Sequence, residues 1–164
     1  MNIQSAFNGV FGECVTIYAV VIENKLVIAK KGVFTIEKIT PDTIFITNNE
    51  LLDADYYFRE KDFQAGLKAY QYLFSTKQCI IQNDIAQFKL ENVIDFDGQK
   101  ENGEEKYKIQ LLNNGHWAIL ALCWFFYNVV LLNTRKLEKI GSLIDELTKN
   151  YDDKHPQDDF FMTI

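Results

Sequence analysis

Three hydrophobic patterns alternate along the chain. The first is short, β-branched and bounded by turn residues. Cys14 to Ile22 is apolar on both faces, Glu23-Asn24-Lys25 supplies a turn, and Leu26 to Lys31 follows as a second strand. Gly32, then Val33 to Ile39, then a Thr40-Pro41-Asp42-Thr43 turn with proline at its favoured second position, and finally Ile44 to Thr47 complete a β-meander over 13–47. The stretch LLDADYYF at 51–58 leans to strand, and 79–96 suggests two strands, near Ile85 to Leu90 and near Val93 to Phe96. Tyr107 to Leu112 alternates, with Tyr107, Ile109 and Leu111 on one face and Lys108 and Gln110 on the other.

The second pattern is helical. Phe63, Leu67, Tyr70 and Phe74 recur at helical spacing and predict a helix over 61–76. Leu137, Ile140, Ile144 and Leu147 form a second stripe, widened by Leu143, and predict a helix over 134–149 that Asn133 or Thr134 can cap. Arg135 and Lys136 in its first turn oppose the helix dipole, so packing rather than end electrostatics must hold it.

The third pattern is one uninterrupted run, Trp117 to Leu132, in which Asn128 is the one clearly polar residue. As a helix it spans roughly 24 Å, short of a bilayer core of about 30 Å. A buried helix has the right length. Against it, Asn113-Asn114-Gly115-His116 carries an Asn-Gly hairpin signal, and Ile119, Trp124, Phe125, Phe126, Tyr127, Val129 and Val130 prefer strands. These predict a central strand over at least 117–125 that pairs back on 107–112, with a break or bulge near Tyr127-Asn128. Buried there, Asn128 needs a hydrogen-bond partner.

The fold class expected is α+β: antiparallel β-meanders of about seven to nine strands with two amphipathic helices, near 61–76 and 134–149. One domain over 1–150 is expected, with a pattern of two meander-plus-helix halves at 13–76 and 79–150. An acidic tail, 151–164, follows. Its apolar end, Phe160-Phe161-Met162-Thr163-Ile164, points to docking on the domain or to a partner.

A length of 164 residues with 48% apolar and 24% charged content suits a single globular core. The net charge of −6 and pI near 4.9 disfavour nucleic acid and an anionic membrane surface, and suit a basic protein partner. Cys14, Cys79 and Cys123 are odd in number, widely spaced and set in apolar surroundings, which predicts free buried thiols in a reducing compartment and no zinc site. The N-terminal MNIQSAFNGVFGE has no basic segment followed by an apolar one, so a cytoplasmic location is expected. The preference for Lys over Arg, with many Ile and Asn, fits an AT-rich bacterial or phage genome.

Candidate chemistry is sparse. Of two histidines, His116 falls in the expected hairpin turn and is read as solvated, and His155 lies in YDDKHPQDD. Neither has a nucleophile or base at a telling spacing, and Ser5, Ser75 and Ser142 lack the GxSxG context. Gly9-Val10-Phe11-Gly12 lacks the third glycine of a dinucleotide fingerprint and the Lys-Ser/Thr pair of a P-loop. The acidic tail lacks the glycine and terminal glutamate of an EF-hand. No catalytic residue, cofactor or metal site is expected.

The function expected is therefore a non-catalytic protein–protein interaction protein. Its most concrete form is a bacterial immunity protein that neutralises a toxin, a basic nuclease among the candidates. Two acidic groups form the expected landing site for such a partner: Asp95, Asp97, Glu101, Glu104 and Glu105 around one loop, and Asp152, Asp153, Asp158 and Asp159 near the C-terminus. Two alternatives remain. One is a small apolar-ligand-binding domain or enzyme whose cavity is lined by Trp117, Trp124, Phe125, Phe126 and Tyr127. The other is a dimeric chaperone-like scaffold pairing through an exposed part of 117–132, the oligomeric state being open.

Overall fold

A computed structural model describes residues 1–9, 13–32, 40–93, 100–101, 104–105 and 112–154. The fold is α+β. Its strands are β1 (Asn2–Asn8), β2 (Cys14–Ile22), β3 (Lys25–Gly32), β4 (Ile44–Thr47), β5 (Tyr56–Tyr57) and β6 (Cys79–Ile81), with a separate small hairpin of β7 (Lys100–Glu101) and β8 (Glu104–Glu105). The helices are α1 (Phe63–Ser75), α2 (Asn114–Phe125) and α3 (Leu132–Lys154), the last two joined by a π-helical turn over Phe126–Leu131.

The six-stranded sheet runs β5-β4-β1-β2-β3-β6. The β2–β3 hairpin forms as its sequence predicts: Glu23 and Asn24 take φ of 50° and 62°, the left-handed pair that a two-residue hairpin turn needs. The antiparallel meander comprises β1, β2 and β3 and does not extend beyond them. Pairs β1–β4, β4–β5 and β3–β6 are parallel. The sheet is mixed because Asn2–Asn8, unmarked by any hydrophobic alternation, is a strand at its centre. β1 pairs antiparallel with β2 and takes β4 on its other side, with Ile3 opposite Ile44 and Ala6 opposite Thr47. β6 reaches the free edge of β3 through α1, and such a crossover permits parallel pairing.

The strand expected at Ile85 to Leu90 is a correction. Residues Asn83–Phe88 and Leu90–Asn92 form 3₁₀ turns, the first kinked at Ile85, and bury Ile85 and Phe88. The strand expected over 51–58 shrinks to Tyr56–Tyr57. Those expected at Val33 to Ile39, in 107–111 and beyond Val93 lie outside the described residues.

The largest correction concerns the apolar run, which is helix and not strand. Asn113 is an N-cap rather than a hairpin residue. Its Oδ1 accepts from the backbone N–H of Gly115 at 2.9 Å and of His116 at 3.2 Å. From there α2 is apolar on every side, with Ala118 through Cys123 fully buried. Full burial overrides the β-preference of the individual residues, which reflects fit to a half-buried surface more than backbone preference. The irregularity expected near Tyr127-Asn128 exists, but as the π turn, where Asn128 Nδ2 donates to the Trp124 carbonyl at 3.0 Å.

Helix α2 lies on β1, β2 and β4, and α1 packs against α2 and β6. Ser5 Oγ, buried in β1, donates to the Ala118 carbonyl at 3.0 Å and pins helix to sheet. At the α1–α2 contact a Cβ on Gly66 would lie 2.6 Å from Phe58 Cζ, so only glycine allows this approach. Phe58 sits edge-on or tilted to Phe7, Trp117 and Trp124, making an aromatic centre for the core.

Candidate functional site

Two surface features stand out among the described residues. The first is α3. It continues α2 and the π turn in line, and the three segments of 12, 6 and 23 residues make a rod of roughly 60 Å at about 1.5 Å per residue. The first half is core. In the second half, the substantial contacts of α3 with described elements are with the π turn that precedes it. Leu137, Ile140, Leu143, Ile144 and Leu147 are between 52% and 70% exposed. The amphipathic helix expected at 134–149 therefore forms, but its stripe is left exposed and is not packed on the described part of the domain. Five large apolar side chains on one helix face form a patch of the kind that marks interaction sites.

The second is an open cleft of about 370 Å³ at one end of the sheet. Phe7, Phe58 and Trp117 form its apolar wall, and Asn8, Asn48, Arg59, Glu60, Glu13 and Asn114 its polar side. Asn48 closes one side by pairing with the β1 backbone: its Oδ1 accepts from Asn8 N–H, and its Nδ2 donates to the Asn8 carbonyl, both at 2.9 Å. Arg59 is held by Glu50 at 2.9 Å and lies over the Tyr57 ring. The volume is at the small end of ligand sites.

The aromatic residues proposed to line a cavity mostly do not. Phe125 and Phe126 are buried in the core, Trp124 packs on Tyr56 and Phe58, and Tyr127 stacks on Tyr72. Trp117 alone of the five borders the cleft. The run 117–132 is helical, and its α2 part from Ala118 to Cys123 is covered by its own chain.

Several titratable groups are buried in the interior. His116 is buried, not solvated as a turn residue would be. Its Nδ1 accepts the Asn113 N–H at 3.1 Å, and burial pushes its pKa down, against an opposing effect of the Gln87 backbone. Tyr70 donates its hydroxyl to Glu91 and accepts the Leu90 N–H, and burial pushes its pKa up. Cys79 and Cys123 are buried free thiols with Sγ atoms 3.9 Å apart. Burial drives Cys123 well above the ordinary thiol range, which makes it a poor nucleophile. Cys14 is exposed, contrary to the expectation of three buried thiols, because it opens β2 at the sheet's end. Among the described residues no group of three His, Cys, Asp or Glu is placed to hold a metal ion.

The acidic residues singled out in the sequence fall in two places. Glu101 and Glu104 are register partners in the β7–β8 hairpin, with Glu105 beside them. Asp152 and Asp153 lie in the last turn of α3. Asp95, Asp97, Asp158 and Asp159 lie outside the described residues. Sequence reasoning found the α3 stripe but assigned it to packing; nothing in the sequence marks the cleft, whose walls come from β1, the segment after β5 and α2.

By length and composition, Asn114–Thr148 also forms one helix long and apolar enough to cross a membrane. Most of its apolar window is buried against the sheet and α1. The chain matches no protein-family model, and neither a curated protein nor a solved structure is similar to it.

Proposed function

We propose that the protein acts by binding other polypeptides and not by catalysis, with α3 as the binding element. The observation that carries this reading is the exposed stripe Leu137, Ile140, Ile144 and Leu147, widened by Leu143, on a helix whose other half is built into the core. An exposed apolar face of this size has a cost in solubility that a binding role explains. The buried tyrosine pairs with Glu91 and the buried thiols with each other, which fits the same reading. A photo-reactive residue in place of Leu143, at the edge of the stripe, tests it in the source cells. Discrete adducts with polypeptides are expected, and they should disappear when Ile140 and Ile144 both become Glu. No adduct overturns the reading.

The sharper form is an immunity protein for a basic toxin in the bacterial cytoplasm. It is supported by the net charge of −6 and by the acidic residues at 95–105 and 152–159. Co-expression with the product of the neighbouring gene tests it: rescue from that product's toxicity is expected, weakened when Asp152 and Asp153 become Asn.

A second reading, a small-ligand site in the cleft beside Trp117, rests on its 370 Å³ volume and on the buried amide nitrogen of Asn8 at its wall.

A further inference from the structure

We propose that the occupant of the α3 stripe is a second copy of this chain, the two α3 helices pairing antiparallel about a two-fold axis at Ser142. The inference rests on the reading of α3 as a protein-binding element and names its partner.

The spacing of the stripe carries the first part. Leu137, Ile140, Ile144 and Leu147 recur at three, four and three residues, the a/d rhythm of a coiled coil. In an antiparallel pair centred on Ser142, Leu137 of one copy meets Leu147 of the other, and Ile140 meets Ile144. Every large residue then has a large apolar partner, and the surface is self-complementary, as a two-fold interface requires.

Gly141 carries the second. It sits inside an exposed helix, where glycine costs about 1 kcal/mol against alanine. Beyond its chain neighbours and the adjacent helix backbone, nothing lies within 4 Å of where its Cβ would be. Next to the two-fold axis, Gly141 faces Gly141 of the other copy and lets the backbones approach, while Leu143 packs on Leu143 along the opposite flank.

The distribution of net charge along the helix favours one direction. Residues 135–139 hold three cations, Arg135, Lys136 and Lys139, against Glu138 alone. Residues 145–153 hold four carboxylates, Asp145, Glu146, Asp152 and Asp153, against Lys149 alone. Antiparallel pairing sets the basic end of each helix beside the acidic end of the other, and parallel pairing sets like beside like. The area is sufficient: five side chains at least half exposed offer on the order of 500 Å² per copy, so pairing buries about 1,000 Å² in total, where specific interfaces begin.

The test is the solution mass of the full chain across a wide concentration range, with cysteine cross-linking in a Cys14→Ser background. The expected result is a species of twice 19.1 kDa. Ile140→Glu with Ile144→Glu should raise its dissociation constant roughly a hundredfold or more, because unpaired carboxylates would face an apolar partner. An unchanged melting temperature of the monomer separates this from misfolding. Leu143→Cys should form a disulfide between copies and Leu147→Cys should not. A monomer at all concentrations overturns the proposal, as does a dimer indifferent to the Ile140/Ile144 change. Ready cross-linking through Leu147→Cys but not Leu143→Cys overturns the antiparallel arrangement. A chain that becomes dimeric only when residues 155–164 are removed identifies the tail as the occupant instead, which also overturns it. A monomer that still gives stripe-dependent adducts with another polypeptide leaves the binding role of α3 standing and sinks only the second copy.

Discussion

Asn113 and His116 cap each other. The Asn113 side chain accepts the His116 N–H at 3.2 Å, and the His116 ring nitrogen Nδ1 accepts the Asn113 N–H at 3.1 Å. This reciprocal pair turns a sequence that reads as a hairpin into the start of the central helix. Removing the Asn113 side chain frees two backbone donors, those of Gly115 and His116. Asn113→Ala should lower stability by about 1 kcal/mol, whereas Asn113→Asp should be close to neutral. Urea unfolding of the two variants side by side checks this, and equal stabilities would show that the cap is idle.

The same pair makes stability depend on pH. Burial holds the pKa of His116 below its ordinary 6.5. As pH falls, the unfolded chain takes up the proton before the folded one does. The contribution is therefore fully present above the unfolded value and declines as pH drops from about 6.5 towards the folded value. Between about pH 7.5 and 5.5 the urea midpoint should fall, and His116→Gln should flatten that slope. Parallel slopes for the two proteins would rule out His116 as the source.

Gly66 gives a packing test of known sign. Alanine at an ordinary helix position would gain about 1 kcal/mol. Here its Cβ would lie 2.6 Å from Phe58 Cζ and 3.4 Å from the Leu120 carbonyl, and Phe58 is fully buried among other rings. Overpacking of this kind costs about 1–3 kcal/mol, so Gly66→Ala should be destabilising overall. Combining it with Phe58→Leu should recover part of the loss. Strict additivity of the two changes would contradict the contact.

The thiols should divide by exposure. Cys14 is open to solvent, while Cys79 and Cys123 are 6% and 0% exposed. Titration of the native protein with an aromatic disulfide reagent should consume one thiol per chain quickly and the other two only in denaturant. Cys14→Ser should abolish the fast phase. Three equally fast thiols would show that the α2–β6 contact opens readily.

Much of the fold is legible where side chains obey one period. β2, β3 and the turn between them, α1 and the stripe of α3 all follow from spacing. Two elements do not. The strand Asn2–Asn8 buries Gln4 and Ser5 as well as Ile3 and Phe7, so no polar face announces it. Trp117 to Leu132 is apolar in every direction, so it has no period to read, and the Asn-Gly step before it serves a helix cap as well as a turn. The cleft is hidden for a different reason: Asn8, Asn48, Arg59 and Trp117 are brought together only by the parallel pairing of β1 with β4 and by the seating of α2. The exposure of the α3 stripe is likewise beyond the sequence, because the same spacing serves a helix that packs on its own domain.

One helical rod, half buried and half bare, cannot melt as a unit. Amides of α2 lie under the sheet and α1 and should exchange with solvent only when the whole molecule unfolds, whereas those of α3 beyond the π turn are free to open locally. Hydrogen-exchange protection along this continuous helix should fall in a step near Asn128. If α3 pairs with a second copy, the protection of its far half should rise with protein concentration while that of α2 stays constant, so one helix carries its own internal reference for the pairing.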